Sequence, residues 1–206
     1  MMSGLMLIFL FISISFMMKV DAQKQKMKDI AIEYRDTKAN LNEALFSEFE
    51  DDLSSWDAVI SKENSITFNS PDILFQTGKS DITDKFKSVL DSFFSRYIKI
   101  LTSKEYKNEI KGLRIEGYTS NRWGNLTNKK EIYLKNMQLS QMRAYKVLAY
   151  CYSLENETIK KNRTWLQKHF RANGMAFSKL KKNDKARRVE FSIEMKSEDK
   201  VYDILK

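Results

Sequence analysis

The first eighteen residues, MMSGLMLIFLFISISFMM, carry no charge. At ~1.5 Å of rise per residue they would make a helix of ~27 Å, enough to cross the hydrocarbon core of a bilayer. Such a helix gains little in water, so the rest of the chain has to be organised around a membrane. A cleaved signal peptide is the competing reading, because Val20-Asp21-Ala22 loosely fits a small-x-small cleavage site. Against it, no lysine or arginine precedes the run, and the run exceeds a usual signal core. A retained transmembrane helix over residues 1–20 is the expectation. Lys19, Lys24, Lys26 and Lys28 all follow the helix, which fits the positive-inside rule poorly.

Residues 21–62 read as a helical stalk. Met27, Ile30, Tyr34, Leu41, Leu45, Phe49, Leu53 and Trp56 recur mostly in helical steps, with charge on the other faces. The stripe has to pack on a second copy of itself or on the following domain. The spacing drifts between Tyr34 and Leu41, so a strict coiled coil is not required. One proline and six glycines leave no Pro/Gly/Ser-rich linker, and any spacer is helical or simply polar.

From about residue 63 the pattern changes. Ile66 and Phe68 alternate in a short strand, and Pro71 and Gly78 punctuate a loop. Ser80-Asp81 is the expected cap of a helix that buries Phe86, Val89, Leu90, Phe93, Phe94, Tyr97 and Leu101. Leu113, Ile115 and Gly117 belong to a second strand, followed by helices over about 132–152 and 158–172. Val189, Phe191, Ile193 and Met195 alternate in a last strand. This order predicts a two-layer α/β (α+β) domain over 63–197, a mixed sheet with helices packed on it, and a tail over 198–206.

Composition limits the chemistry. The single cysteine, Cys151, excludes an internal disulfide and a paired-thiolate metal site, and the single histidine, His169, leaves no histidine cluster. No phosphate loop, nucleophile triad or paired acid–base site stands out, so no enzyme, metal or cofactor is expected. The net charge of +9 suits a polyanion such as nucleic acid, anionic lipid or a carboxylate-rich wall polymer. The lysines are spread and mixed with acids, so a solvated surface fits the same number.

Four segments fall at strand or helix ends in a fixed order. They are Phe68-Asn69-Ser70-Pro71-Asp72-Ile73-Leu74-Phe75-Gln76-Thr77-Gly78, Ile115-Glu116-Gly117-Tyr118-Thr119-Ser120, Asn136-Met137-Gln138-Leu139-Ser140-Gln141-Met142-Arg143-Ala144 and Arg187-Arg188-Val189-Glu190-Phe191. Over about residues 64–196 they resemble the OmpA/MotB C-terminal domain family, the last three matching its G-H-T-D, N-x-x-L-S-x-x-R-A and N-R-R-V-E-F signatures. The resemblance implies a domain that grips the peptide stem of peptidoglycan, which presents carboxylates and, in diaminopimelate, an ammonium. Arg143 would hold a carboxylate with two parallel hydrogen bonds. Asn136, two helical turns earlier on the same side, would bond the peptide backbone, with Leu139 between them in the core. Thr119 and Ser120 end the neighbouring strand. Arg187 is expected near the site and Arg188 in solvent, because strand alternation separates them. Tyr118 and Trp123 are candidates to line the ligand or simply to pack. Where the family has the acid that pairs with the ammonium, this chain has Ser120.

The leading apolar segment, the Thr119-Ser120 variant with Trp123 and the long following loop are similar to the MotB-related B-subunits of Zorya anti-phage defence systems. That resemblance implies a homodimer inside a ring of five MotA-like (ZorA-type) membrane subunits. It implies an ion-driven stator in the bacterial inner membrane, with the domain anchored to the wall in the periplasm. It also implies an ion-carrying aspartate just before Met2-Ser3-Gly4. No acid precedes Asp21, so the expectation is that the chain as given begins late. A passive OmpA-like tether between membrane and wall is the alternative. A basic nucleic-acid-binding protein is a third reading, disfavoured by the apolar leading helix.

Overall fold

The computed structural model describes residues 2–179 and 186–196. The tail expected over 198–206 lies outside them. The chain divides into two compact units, one of residues up to Thr37, the other Lys38–Met195.

The first unit is the leading part of helix α1 (Met2–Leu53). Its apolar side chains from Leu5 to Met18 are exposed, as a helix surrounded by lipid requires. Among the described residues it is the one helix long and apolar enough to cross a membrane. The lysine-rich turns that follow are largely solvated.

The second unit starts inside α1, well before residue 63. Leu41, Leu45 and Phe49, at helical steps of four, have no exposed surface and belong to the domain core. Of the two partners open to the apolar stripe, the domain takes this part of it. Arg96 fastens the same turns. It donates to Glu48 (Oε1, 2.6 Å), Asp52 (Oδ2, 2.7 Å) and the Glu48 carbonyl, and its guanidinium lies 4.8 Å from the Phe49 ring centre.

Strands β1 (Ala58–Ile60) and β2 (Ile66–Phe68) follow as a hairpin, then a single helical turn α2 (Pro71–Leu74). Helix α3 (Asp84–Leu101) is capped by Thr83, not by Ser80-Asp81. The Thr83 hydroxyl accepts from the Phe86 N–H (3.1 Å) and donates to the Ile73 carbonyl, which ties the helix start to α2. The hydroxyl of Thr83 serves both neighbours at once, and the helix starts there. Next come β3 (Ile110–Tyr118), α4 (Lys129–Ser153), α5 (Glu157–His169), β4 (Phe170–Ala176) and β5 (Val189–Met195). Helix α5 stops three residues short of Ala172, where the chain enters a strand instead.

The five strands form one sheet in the order β1-β2-β5-β3-β4. β3 and β4 run parallel and the other neighbours antiparallel. This is the mixed sheet with helices packed on it that the element order predicts. Its core is largely aromatic: Phe93 contacts Phe49, Trp56, Phe68, Tyr97 and Phe191 at ring-centre distances of 4.9–6.0 Å. Aromatic pairs of this kind add to the stabilisation from area burial alone.

One cross-strand pair sets the height of α4 above the sheet. Gly117 and Gly174 face each other in the β3–β4 register. A Cβ on Gly174 would lie 2.6 Å from the Gln141 backbone nitrogen and 2.8 Å from its Cα, and a Cβ on Gly117 would collide with the Ser140 carbonyl oxygen. Two adjacent glycines let the helix backbone rest directly on the strands.

Candidate functional site

Helix α4 carries Asn136, Leu139 and Arg143 over this glycine seat. Its start is fixed by Asn128, whose side chain accepts from the Lys130 and Glu131 N–H groups (3.0 and 3.4 Å). Further along, the Ser140 hydroxyl donates to the Met137 carbonyl (2.9 Å) and accepts from the Ala176 N–H (3.0 Å). Gln141 bonds β4 in both senses, donating to the Ala172 carbonyl (3.2 Å) and accepting from the Gly174 N–H (2.6 Å). The N-x-x-L-S segment is therefore pinned to the sheet by its own polar side chains.

Arg143 is 5% exposed. Its Nε donates to the Lys79 carbonyl (2.9 Å) and Nη2 to the Gln76 carbonyl (3.4 Å), and the guanidinium lies 4.8 Å from the Phe75 ring centre. It thus holds the turn from Gln76 to Lys79 against α4. No carboxylate pairs with it among the described residues, and Nη1 has no hydrogen-bond partner there. Burial pushes its pKa down to about 10, and the nearby charge of Arg187 pushes the same way. The structure therefore brings Arg187 within electrostatic reach of Arg143.

A cleft of about 270 Å³ opens beside that turn. Gly78, Lys79, Ser80 and Asp81 form one wall; Lys135, Gln138, Leu139 and Met142 of α4 form the other, with Trp123 at one side. Trp123 therefore lines it, and so does Leu139, which is half-buried at this surface and not in the core as expected. Arg143 does not; it lies behind the wall whose carbonyls it grips. Lys135 Nζ sits 5.8 Å from the Trp123 ring centre. Asp81 is taken by Lys146 (2.6 Å), whose hydrogen bond and charge hold the carboxyl below its ordinary range.

Asn136 is buried and donates to the Arg122 and Ile132 carbonyls (3.3 and 3.0 Å), so its amide secures the long loop to α4. Thr119 is also buried; its N–H donates to the Ala176 carbonyl (2.8 Å), while its hydroxyl has no partner. Ser120 is half-buried beside it.

The expectation for Arg188 changes. Arg188 is not in solvent but 2% exposed. Its Nε meets Glu190 Oε1 at 2.5 Å, and its guanidinium lies 3.7 Å from the Tyr118 ring centre. Tyr118, in turn, donates to Glu116 Oε2 (2.7 Å) and packs there instead of lining the cleft. Glu116 and Glu190 are cross-strand partners, and these buried like charges are met by Arg188 at Glu190 and by Arg114, 3.8 Å from Glu116. Alternation failed as a guide because Arg188 precedes β5 and this opposing acid pair draws it inward. The residues that sequence reasoning missed are Lys79, Lys135, Gln138 and Met142. Only the spacing of the last three around Leu139 on one helix face signals them.

No family model matches the chain. Among solved structures it resembles the cell wall anchor of the T6SS from Pseudomonas aeruginosa, at 19% identity with 73% of this chain and 96% of that chain covered (TM-score 0.49). It also resembles a MotB-like protein from Desulfovibrio vulgaris, at 19% identity with 82% and 98% covered (TM-score 0.49). The periplasmic domain of Helicobacter pylori MotB matches at 14% identity with 72% and 94% covered (TM-score 0.48). A sequence relative carries the assignment: the Zorya protein ZorB of Escherichia coli (strain ATCC 8739, Crooks) is 39% identical over 212 residues, 99% of this chain and 88% of the relative. Identity at that level over nearly the whole length places the chain in the ZorB family of Zorya proteins.

Proposed function

We propose that this protein is the wall-gripping B-subunit of a MotB-like, ion-driven stator acting in anti-phage defence. Residues 1–20 of α1 cross the inner membrane once, and the domain lies in the periplasm. Two copies sit within a ring of five MotA-like subunits and hold peptidoglycan, so that torque has something to react against. The work is mechanical and not enzymatic.

The observation that carries the wall-binding part is Arg143. A guanidinium with so little exposure and no carboxylate beside it is a charge held ready at a cost. A stem-peptide carboxylate reaching Nη1 offsets that cost through a charge-assisted hydrogen bond. Leu139 and Trp123 offer apolar surface at the adjoining cleft, and the unpartnered Thr119 hydroxyl is a further hydrogen-bonding group. Asn136 acts by holding the loop, and Arg187 adds positive charge.

The test is co-sedimentation of the full chain, in detergent, with purified sacculi. Losing one charge-assisted bond of ~1.5–3 kcal/mol lowers binding by about tenfold or more in Arg143→Ala. Arg143→Lys keeps the charge without the planar fork and recovers part of it, with circular dichroism checking that both variants fold. Equal pelleting of wild type and folded variants would remove Arg143 from the site. In cells, protection from phage should need both this residue and the MotA-like partner.

A further inference from the structure

The cleft carries polar groups that the fold does not use. Gln138, Ser80 and Trp123 line it, and their side chains make no hydrogen bond among the described residues. Asp81 gives Oδ1 to Lys146 at 2.6 Å, is three-quarters exposed, and has Oδ2 open. Donors and acceptors are mixed in one small space: an amide and a hydroxyl offer both, an indole N–H donates, a carboxylate accepts. Charge is partly balanced there. Asp81 feels the charge of Lys79, and Lys135 is already paired with Glu131 at 3.6 Å.

Beside these groups stands an aromatic ring on a fixed backbone. Buried Asn136 donates to the Arg122 carbonyl (3.3 Å), and the Leu126 N–H donates to the Trp123 carbonyl (3.0 Å), so the chain is held on both sides of the ring. Trp56 and Trp165 stack on other rings in the domain core, whereas Trp123 is half-buried and packs on no aromatic ring among the described residues. Its neighbour is Lys135 Nζ, 5.8 Å from the ring centre, on a side chain that is 42% exposed and free to swing aside.

A flat ring flanked by mixed donors and acceptors suits a ligand with an apolar C–H face and a rim of hydroxyls. The cleft, at about 270 Å³, is small and suits a single ring of that kind. In the wall polymer each stem peptide hangs from an amino sugar, so a stem held at Arg143 brings such a ring to the adjoining cleft. We infer that the cleft is a saccharide subsite, in which one sugar ring of the wall glycan stacks on Trp123 and bonds Gln138, Ser80 and Asp81. This rests on the wall-binding reading and deepens it: the protein reads the junction of glycan and peptide, not the peptide alone. The long loop after β3 then has a role, that of presenting Trp123.

The experiment titrates the full chain, in a detergent without sugar headgroups, with two soluble ligands. One is a disaccharide-bearing muropeptide and the other is the same stem peptide without its sugars. Calorimetry gives the affinities. Tryptophan fluorescence reports on Trp123, because Trp56 and Trp165 are each 8% exposed in the core. The muropeptide is expected to bind about tenfold or more tighter than the free stem and to change the fluorescence, which the free stem leaves nearly constant. Trp123→Ala should bring the muropeptide down to the affinity of the free stem and leave the free stem within about twofold. Trp123→Phe should keep most of the affinity and lose the fluorescence change. Gln138→Ala, at an exposed position whose side chain makes no hydrogen bond among the described residues, should weaken the muropeptide alone about threefold, and carries the test if Trp123→Ala does not fold. Equal affinity of the wild type for the two ligands overturns the saccharide subsite and leaves wall binding intact. So does an equal effect on both ligands in the folded variants. Failure of the wild type to bind either ligand overturns both readings.

Discussion

Replacing Gly174 by alanine tests how closely the binding helix must sit on the sheet. The added Cβ would be 2.6 Å from the Gln141 nitrogen and 2.8 Å from its Cα, both backbone or backbone-attached atoms that no rotamer change can move. Reaching an ordinary contact of ~3.5 Å requires a local shift of about 0.9 Å between α4 and β4. That shift also strains the Gly174 N–H to Gln141 Oε1 bond and the Ala176 N–H to Ser140 Oγ bond. Overpacking of this kind costs ~1–3 kcal/mol, or about 3–9 °C in melting temperature for a domain of this size. Gly112 is the control: its added Cβ meets nothing nearer than 3.6 Å, so Gly112→Ala should melt with the wild type. Arg143 lies two residues beyond Gln141 on the same helix, so Gly174→Ala should also weaken sacculus binding although it touches no ligand. Melting curves by circular dichroism and the pelleting assay read both effects. If Gly174→Ala and Gly112→Ala behave alike in both, the close approach of α4 to the glycine pair is not what positions the site.

Arg188→Met removes the guanidinium that meets the buried Glu190 at 2.5 Å, while Arg114 stays 3.8 Å from Glu116, and should cost ~3–5 kcal/mol in urea denaturation. Adding Glu190→Leu to it should restore part of the loss, because the carboxylate that Arg188 served is then gone. Alkaline pH should destabilise the domain. Burial, with hydrogen bonds donated to Glu105 and Asp91 respectively, raises Tyr106 and Tyr150 to about 12, and burial also raises Tyr97 and Cys151. A phenol whose folded pKa exceeds its unfolded value stabilises fully below about pH 10 and loses that contribution between pH 10 and 12. Thermal melts should therefore be insensitive to the phenols up to pH 10 and fall steeply above it, after a smaller fall from about pH 8.5 as the unfolded Cys151 thiol ionises.

The parts of the structure that follow a single periodicity were readable in advance. The uncharged leading run, the α3 face from Phe86 to Leu101 and the alternation from Val189 to Met195 each state one burial pattern over several residues. β1 could not be read that way, since three residues directly after a long helix show no period. β4 was hidden for a different reason. Phe-Arg-Ala-Asn-Gly-Met-Ala does not alternate, because Gly174 is there to admit Gln141 from above and not to fill a core. The division at Lys38 was equally silent: Leu41, Leu45 and Phe49 continue the apolar stripe of the preceding turns, and only tertiary packing shows which turns join the domain. In the candidate site, the N-x-x-L-S segment lies on α4, which forms one wall of the cleft. The cleft walls were invisible because Lys79 and Asp81 come from a loop that reaches α4 through long-range hydrogen bonds of Arg143 and Lys146.

The two buried arginines make the strongest case for what this domain does, because each is a control for the other. Both are at most 5% exposed, and both lie over an aromatic ring, Phe75 for Arg143 and Tyr118 for Arg188. Packing alone therefore does not separate them. Counter-charge does: Arg188 has Glu190 at 2.5 Å, with Glu116 on the adjoining strand, whereas Arg143 has backbone carbonyls and a second guanidinium in range. Carbonyl dipoles satisfy donors but do not cancel a charge, so the desolvation cost that Glu190 offsets for Arg188 stays largely uncompensated for Arg143. An arginine that only fastened the turn from Gln76 to Lys79 would be replaceable by a neutral donor at lower cost. The charge at Arg143 makes physical sense when an anion arrives to complete it, and that requirement points outward, to the cleft and to the wall.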